Sequence, residues 1–448
     1  MEDQKKLMGR RAFLTNSAKI GAAGVIGASV LSSCGGQGIK PLRKKGEYYV
    51  PDLPDKADDG RELKVGLVGC GGRGTGALGN LLEAADGITV AALGDILPDQ
   101  MASCRSKLYS GYGVTVPDDK CFLGFDSYQK VIDSGVDMVI LATPPVFRPT
   151  HFEYATGKGV HSFLEKPVAI DPTGFRRMLA TSRLAESKGL SVVTGTQRRH
   201  ERGYVASYQK IQEGWIGEIV SGTVYWLQGK PWYATRKPGM SDVEYMIRDW
   251  FNWSWLAGDH IVEQHVHNID VFLWMSGMTP FKATGFGSRL RRRSGDQFDQ
   301  FYVDFEFPSG VRLNSQCRQV DGCTNRVGEV IMGTRGIWTS KHFEITDYNG
   351  KTLWKYDEEG EKARFKQHDP YVLEHVDWVN HIRRGTMHVE AEESALSCMA
   401  GIMGRESAYS GKRMLWEDMI ASKQNYLPEK VELVDVDMSQ FKVPQPGI

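Results

Sequence analysis

The chain has 448 residues, of which 41% are hydrophobic and 25% charged, the composition of a soluble globular protein too long for one ordinary core. Lys+Arg and Asp+Glu both number 55, for zero formal net charge, which excludes the general electrostatic pull that nucleic-acid binding draws on. The seven cysteines show no paired metal spacing, so no metal is expected; Cys317 and Cys323 are near enough to bridge, which spacing alone does not decide.

The first elements read as an address. Arg10-Arg11-Ala12-Phe13-Leu14 resembles a twin-arginine export signal, and the weakly apolar run Ile20 to Val30 is too short to span a membrane. Leu31-Ser32-Ser33-Cys34-Gly35 resembles a lipoprotein processing site that would leave a lipidated Cys34 as the mature terminus. Residues 1–34 are therefore expected to be the signal, with 35–61, rich in Gly, Pro, Lys and Asp, a tether to the membrane. The expected location is the periplasm or cell envelope, reached through the twin-arginine machinery. The alternative is an N-terminal helix of an intracellular protein.

From residue 62 strand-like and helix-like patterns alternate. Leu63–Val68 and Thr89–Gly94 read as strands, and Val136–Ala142 as a buried parallel strand. Helices are expected over 74–85, Gln100–Ser110, Thr150–Gly157 and Asp171–Lys188, with strands at His161–Leu164 and Leu190–Thr194. This is the pattern of a doubly wound Rossmann sheet over 62–197. Beyond it, β-branched runs between Glu218 and Met332 suggest a large, mostly antiparallel sheet covered on one face by helices, in a C-terminal α/β domain over 198–425. Late helices are expected at Pro370–Arg384 and Glu392–Tyr409, before a Pro-rich tail at 426–448.

Gly69, Gly71 and Gly74 stand in the spacing G-x-G-x-x-G directly after the first strand, with Gly72 and Arg73 between them. Such a turn lets backbone approach a pyrophosphate at a helix N-terminus. Asp95 follows about 20 residues past Gly74, where a ribose-binding acid is expected. A purely structural glycine turn is the alternative. Asp95 favours NAD over NADP by repelling a 2′-phosphate. Twin-arginine transport moves folded proteins, so the cofactor is expected to be loaded before export, held tightly and recycled within each turnover.

Thr143-Pro144 and Glu165-Lys166-Pro167 fall at the carboxyl ends of parallel strands, the ligand edge of such a sheet. Lys166 could polarise a hydroxyl or carbonyl there; a surface lysine in a turn is the bland alternative. In Gly258–Asp270, Glu263 and His267 are four apart and share a face if the helix is regular, so Glu263 could fix the tautomer of His267 and raise its basicity. His265 points elsewhere on such a helix. A zinc site of His260, Glu263 and His267, or satisfied structural histidines, are the alternatives. Trp226, Trp232, Tyr233, Trp250, Phe251, Trp253 and Trp255 form an aromatic-rich stretch suited to stacking on sugar rings or to ordinary packing.

Taken together, Gly69–Gly74, Asp95, Thr143-Pro144, Glu165-Lys166-Pro167 and Gly258–Asp270 resemble the Gfo/Idh/MocA oxidoreductases, over about residues 62–425. The resemblance implies NAD or NADP, a C-terminal sheet that forms an oligomer interface, and contact of Lys166 and His267 with the reacting hydroxyl. Glu263 stands where the family usually has Asp, His265 where many members have Gly, and Arg148 where a His is common. His265, Arg148 and Trp255 are accordingly candidate substrate contacts. The expected reaction is hydride transfer from a sugar or polyol carbinol to the nicotinamide, with Lys166, His267 and Glu263 as catalytic groups. The alternatives are a glycosidase that oxidises, eliminates, hydrates and re-reduces, leaving the cofactor unchanged, and a non-catalytic sugar-binding lipoprotein on the same fold, against which Lys166, Glu263 and His267 together argue.

Overall fold

The computed structural model describes residues 48–448 together with Arg43, Lys44 and Gly46. The expected signal and Cys34 lie outside the described residues. Six strands, β1 (Leu63–Val68), β2 (Ile88–Asp95), β3 (Cys121–Leu123), β4 (Met138–Leu141), β5 (His161–Leu164) and β6 (Val192–Thr194), pair in the order β3-β2-β1-β4-β5-β6. Every pairing is parallel. The order reverses between β1 and β4, and the crevice at that point is where an open α/β sheet takes its ligand. β4 is buried at all four positions, as a strand covered by helices on both faces must be.

The second sheet has nine strands in the order β14-β13-β12-β11-β7-β10-β9-β8-β15. Its strands are β7 (Ile219–Gln228), β8 (Lys282–Ser288), β9 (Gln300–Glu306), β10 (Arg312–Gln319), β11 (Arg326–Gly333), β12 (Ile337–Thr339), β13 (Glu344–Thr346), β14 (Thr352–Lys355) and β15 (Met414–Leu415). Only β7 and β10 run parallel; the other pairings are antiparallel. Alternation along β9 buries Phe301, Val303 and Phe305. Helices Val266–Ser276 and Ala391–Ser410 cover that face. On the other face Phe286 stays exposed, stacked on Tyr302. One continuous buried cluster joins the helices of the first sheet to this face, so the two sheets share a core.

Two expectations are corrected. Residues 48–61, part of the expected tether, are built into the fold. The Tyr49 hydroxyl donates to Asp377 (2.6 Å), Ala57 N–H to the Ala84 carbonyl (2.9 Å) and Asp58 N–H to Asn380 (2.8 Å). Their backbone donors find partners in the folded domain, as chain rich in Gly and Pro gives no warning of. The late helix Pro370–Arg384 was placed in the C-terminal domain, yet it returns to the first sheet: Val372, Val376, Trp378 and Val379 pack with Leu63, Val65, Leu81 and Phe163. Cys317 is buried, Cys323 exposed, and the two are not bonded.

Trp378 is fully buried in the core of the first sheet. Trp378→Ala is expected to cost about 3–5 kcal/mol, read as a lower urea midpoint with the slope unchanged.

Candidate active site

The glycine turn forms one wall of the crevice. Gly69 has φ +98°, and a Cβ there would meet the Ala142 backbone at 2.7 Å. A Cβ on Gly74 would sit 1.8 Å from the Gly69 carbonyl oxygen, which is the close packing the third glycine permits. Around Gly71 and Gly72 nothing lies within 4 Å of an added Cβ, so the backbone there is open to a ligand. The helix Gly72–Ala84 starts from Gly71 without a side-chain cap, leaving its first N–H groups and positive dipole end for an anion. The Asp95 carboxylate accepts from Cys70 N–H (2.6 Å) and Leu97 N–H (2.8 Å), which fixes it at the end of β2; burial raises its pKa.

These groups line a cavity of about 320 Å³ with Ile96, Thr143 and Pro144. A second cavity of about 370 Å³ holds Arg73, Glu165, Lys166, Glu263 and His267. Ala142, Thr143, Trp232 and Trp250 line both, so the two are one groove along the carboxyl edge of the sheet. A dinucleotide fits it: an open backbone cradle and uncapped helix start for the pyrophosphate, with an acid at the end of β2 for the ribose.

At the inner end, Lys166 Nζ donates to the Glu263 carboxylate and to the Glu263 carbonyl, both at 2.7 Å. An ammonium has three N–H donors, so one remains for a ligand in the groove. The Lys166–Pro167 peptide is cis. Glu263 was expected to act on His267, and here the structure corrects the sequence. Helix His260–Glu263 ends before helix Val266–Ser276 begins. Between them the His265 N–H reaches the His260 carbonyl, five residues back (3.0 Å), which widens the turn and breaks the i, i+4 face. The carboxylate therefore serves the lysine. His267 stacks on Trp226 with ring centroids 5.8 Å apart, and its buried Nδ1 has no hydrogen-bond partner. Burial, then the charges of Lys166, Arg198 and Arg73, hold its pKa well below the ordinary 6.5, so the ring is neutral at neutral pH.

Asp259 opens this block with φ 69°, a conformation that costs an ordinary residue about 1–3 kcal/mol. Its buried carboxylate accepts from His260 N–H (2.6 Å) and Phe298 N–H (3.0 Å) and from the Tyr409 hydroxyl (2.5 Å). Those bonds over-determine the entry into the helix pair that carries Glu263 and His267.

The three candidate substrate contacts are corrected. His265 is fully buried and bonds Ser315 on β10 (2.8 Å), behind the groove rather than in it; burial first pushes it down to about 3. Arg148 borders the groove, but its guanidinium donates to the carbonyls of Glu165 (2.8 Å), Leu141 (2.7 Å) and Thr143 (2.7 Å). It binds the ends of β4 and β5 together. Trp255 donates to Met246 Sδ (3.4 Å) and does not border the groove, whereas Trp226, Trp232, Trp250 and Phe251 do. Arg73 pairs with Glu165 and lies 4.7 Å from the Tyr371 ring centre. Tyr371 and the neighbouring Glu374 come from the late helix, and no motif announced them. Glu374 is fully buried with neither carboxylate oxygen hydrogen-bonded, though Arg73 Nη2 lies 3.7 Å from one of them, and burial raises its pKa well above 4.5. No group of three metal-ligating side chains gathers among the described residues.

With this geometry in view, comparison places the chain among known proteins. The NAD-binding Rossmann model of the GFO/IDH/MocA oxidoreductase family matches residues 63–195, and the GFO/IDH/MocA C-terminal domain model matches 204–339, together more than half of the chain. The chain belongs to the GFO/IDH/MocA oxidoreductases, and its first sheet is their NAD-binding domain. It is 23% identical over 360 residues to scyllo-inositol 2-dehydrogenase (NAD(+)) of Bacillus subtilis, covering 78% of this chain and 95% of that one. A shorter match, 25% identical over 178 residues, joins it to the 2,7-anhydro-N-acetylneuraminate hydratase of Escherichia coli, covering 39% of this chain and 44% of that enzyme. The fold resembles that of Lactobacillus casei scyllo-inositol dehydrogenase solved with NAD(H) and scyllo-inositol, with TM-score 0.60, 18% identity and coverage of 80% and 99%.

The Lys166–Glu263 pair is largely shielded from water, at 15% and 7% side-chain exposure, so removing one partner strands a buried charge at about 3–5 kcal/mol. Lys166→Met alone should lose stability and turnover together. The double variant Lys166→Met/Glu263→Gln should recover most of the stability, keep the dinucleotide and stay inactive by orders of magnitude, in melting and single-turnover assays. Because the His267 pKa is depressed, the neutral ring persists as pH falls through 6.5. The acid limb of the turnover profile is expected below pH 6.5 and should vanish in His267→Asn, as pH–rate measurements will show.

Proposed function

We propose that the protein is a dehydrogenase transferring hydride between a ring hydroxyl of a sugar or cyclic polyol and a tightly held NAD. The observation that carries this reading is the remaining Lys166 N–H at the inner end of the dinucleotide groove, beside neutral His267. His267, as the neutral base, accepts the hydroxyl proton. Lys166 stabilises the developing alkoxide, at a site where preorganised charge is worth more than in water. Glu263 fixes the ammonium in place and neutralises its charge while the groove is empty. A bound nicotinamide supplies the hydride acceptor. Trp226, Trp232 and Trp250 offer the flat apolar faces against which a sugar ring stacks. The inositol dehydrogenase relatives support a cyclic polyol or sugar as substrate.

A second reading is a glycosidase that uses the same oxidation without net redox change. Oxidising a ring hydroxyl acidifies the neighbouring C–H. Loss of that proton expels the glycosidic substituent as an alcohol, water adds to the resulting alkene, and the hydride returns to the ketone. The match to a hydratase, whose named reaction consumes no reductant, favours keeping it. Export supports it too: we propose that the Arg10-Arg11 segment sends the folded, cofactor-loaded protein through the twin-arginine machinery and that Cys34 is lipidated. Outside the cytoplasm an enzyme that restores its own cofactor has no need of a dinucleotide pool. The uncovered face of the nine-stranded sheet, with Phe286 exposed, is the proposed homo-oligomer interface.

Incubation with inositols, free sugars and aryl glycosides in deuterated water, without added cofactor, separates the readings. A ketone product and a lasting absorbance rise near ~340 nm are expected of the dehydrogenase. Glycoside cleavage with deuterium on the carbon beside the oxidised centre transfers the assignment to the second reading. Neither product from any substrate class overturns both.

A further inference from the structure

The groove is roofed by a segment of the second domain. Residues 229–253 leave β7, cross the carboxyl edge of the Rossmann sheet and bring Trp232, Ile247, Arg248 and Trp250 into the same cavity as Gly71 and Asp95. The segment is braced within itself by Asp249, fully buried, which accepts from Ala234 N–H (2.7 Å), and by Asn252, which donates to the Trp232 carbonyl (3.1 Å); the Ser294 hydroxyl, between β8 and β9, also donates to Asp249 (2.7 Å). The tail holds it from behind, where Val243 N–H meets the Val434 carbonyl (3.1 Å) and Val436 N–H meets Asp242 (3.1 Å). Toward the Rossmann domain, Arg248 donates both terminal nitrogens to Asp99, at 2.8 and 2.9 Å. Its Nε is held by Glu244 at 2.9 Å, which aims the fork. Asp99 stands in the first turn of helix Pro98–Tyr112, just past Asp95.

We propose that residues 229–253 are a clamp on the dinucleotide, fastened across the groove by the Arg248–Asp99 pair beside the ribose-binding end. This rests on the NAD reading above. A bidentate pair between domains closes the groove at its outer end, while Trp232 and Trp250 border the groove both there and beside Lys166. The dinucleotide then leaves only when the pair opens, which suits a cofactor kept from one turnover to the next. Arg248 and Asp99 are positioning residues, since neither is needed for proton or hydride movement. With its charge matched by two carboxylates, Arg248 is not offered to a 2′-phosphate, which agrees with NAD.

The test measures release of an etheno-adenine analogue of NAD chased with excess NAD, in the full chain, for wild type, Arg248→Gln, Asp99→Asn and the double variant. Each single variant is expected to release the analogue roughly three- to tenfold faster, and the double variant no faster than the singles, because both remove one interaction. Added salt should speed release from wild type and leave the variants unmoved, a response that a packing role would not give. Arg248→Lys, which keeps charge but loses the fork, should fall between and serves if Arg248→Gln does not fold. Equal rates in all proteins, or additive effects in the double variant, overturn the clamp. A wild type that binds neither NAD nor the analogue overturns the NAD reading itself, a separate result.

Discussion

The Lys166 ammonium and the Glu263 carboxylate come from different domains and meet out of water, and the geometry of the groove depends on that meeting. Lys166 follows β5 of the parallel sheet, and Glu263 ends a short helix of the second domain. Their contacts at 2.7 Å fix how the two layers sit at the ligand edge. Burying both charges is costly unless both are matched. The pair is therefore weak evidence for stability and strong evidence for a placed donor: a lysine held this way presents its last N–H in one direction.

The same economy recurs around it. Arg148 spends its donors on three strand-end carbonyls, so the loops after β4 and β5 cannot move apart. Arg73 ties the glycine turn to Glu165, the residue before Lys166. Glycine turn, strand ends and Lys166 thus form one connected polar frame. Burial depresses the His267 pKa first, and the charges of Lys166, Arg198 and Arg73 depress it further, so the frame that positions the lysine also helps keep the histidine neutral. Position and protonation are two outcomes of one arrangement.

Much of this was legible in the sequence wherever a local rule decides the structure. The glycine spacing, the apolar strands and the alternating runs follow from backbone sterics and burial, and β5 (His161–Leu164) and the helix Pro370–Arg384 fall where the pattern puts them. What was not legible depends on one residue's bond rather than on a period. A regular helix puts Glu263 under His267; one N–H reaching five residues back at His265 redirected the carboxylate to Lys166. Residues 48–61 look like a linker by composition, and contacts such as those of Tyr49 and Asp58 with side chains more than 300 positions away make them part of the fold. Tyr371 reaches the groove because its helix packs on the far domain, a placement that amphipathic spacing leaves open.

The roof over the groove borders it at both ends. A shared core between the two sheets means that the domains are not hinged freely, so access to the dinucleotide has to be gained by the smaller parts that cross the edge. Residues 229–253 are the crossing part, and they carry the aromatic faces suited to a sugar as well as the arginine fork at the ribose end. The proposed substrate contacts and the proposed cofactor clamp thus lie in one segment. Under the proposed clamp, a ring seated on Trp232 and Trp250 would rest on the same segment that crosses the dinucleotide groove, and any coupling between the two ends would then be reciprocal.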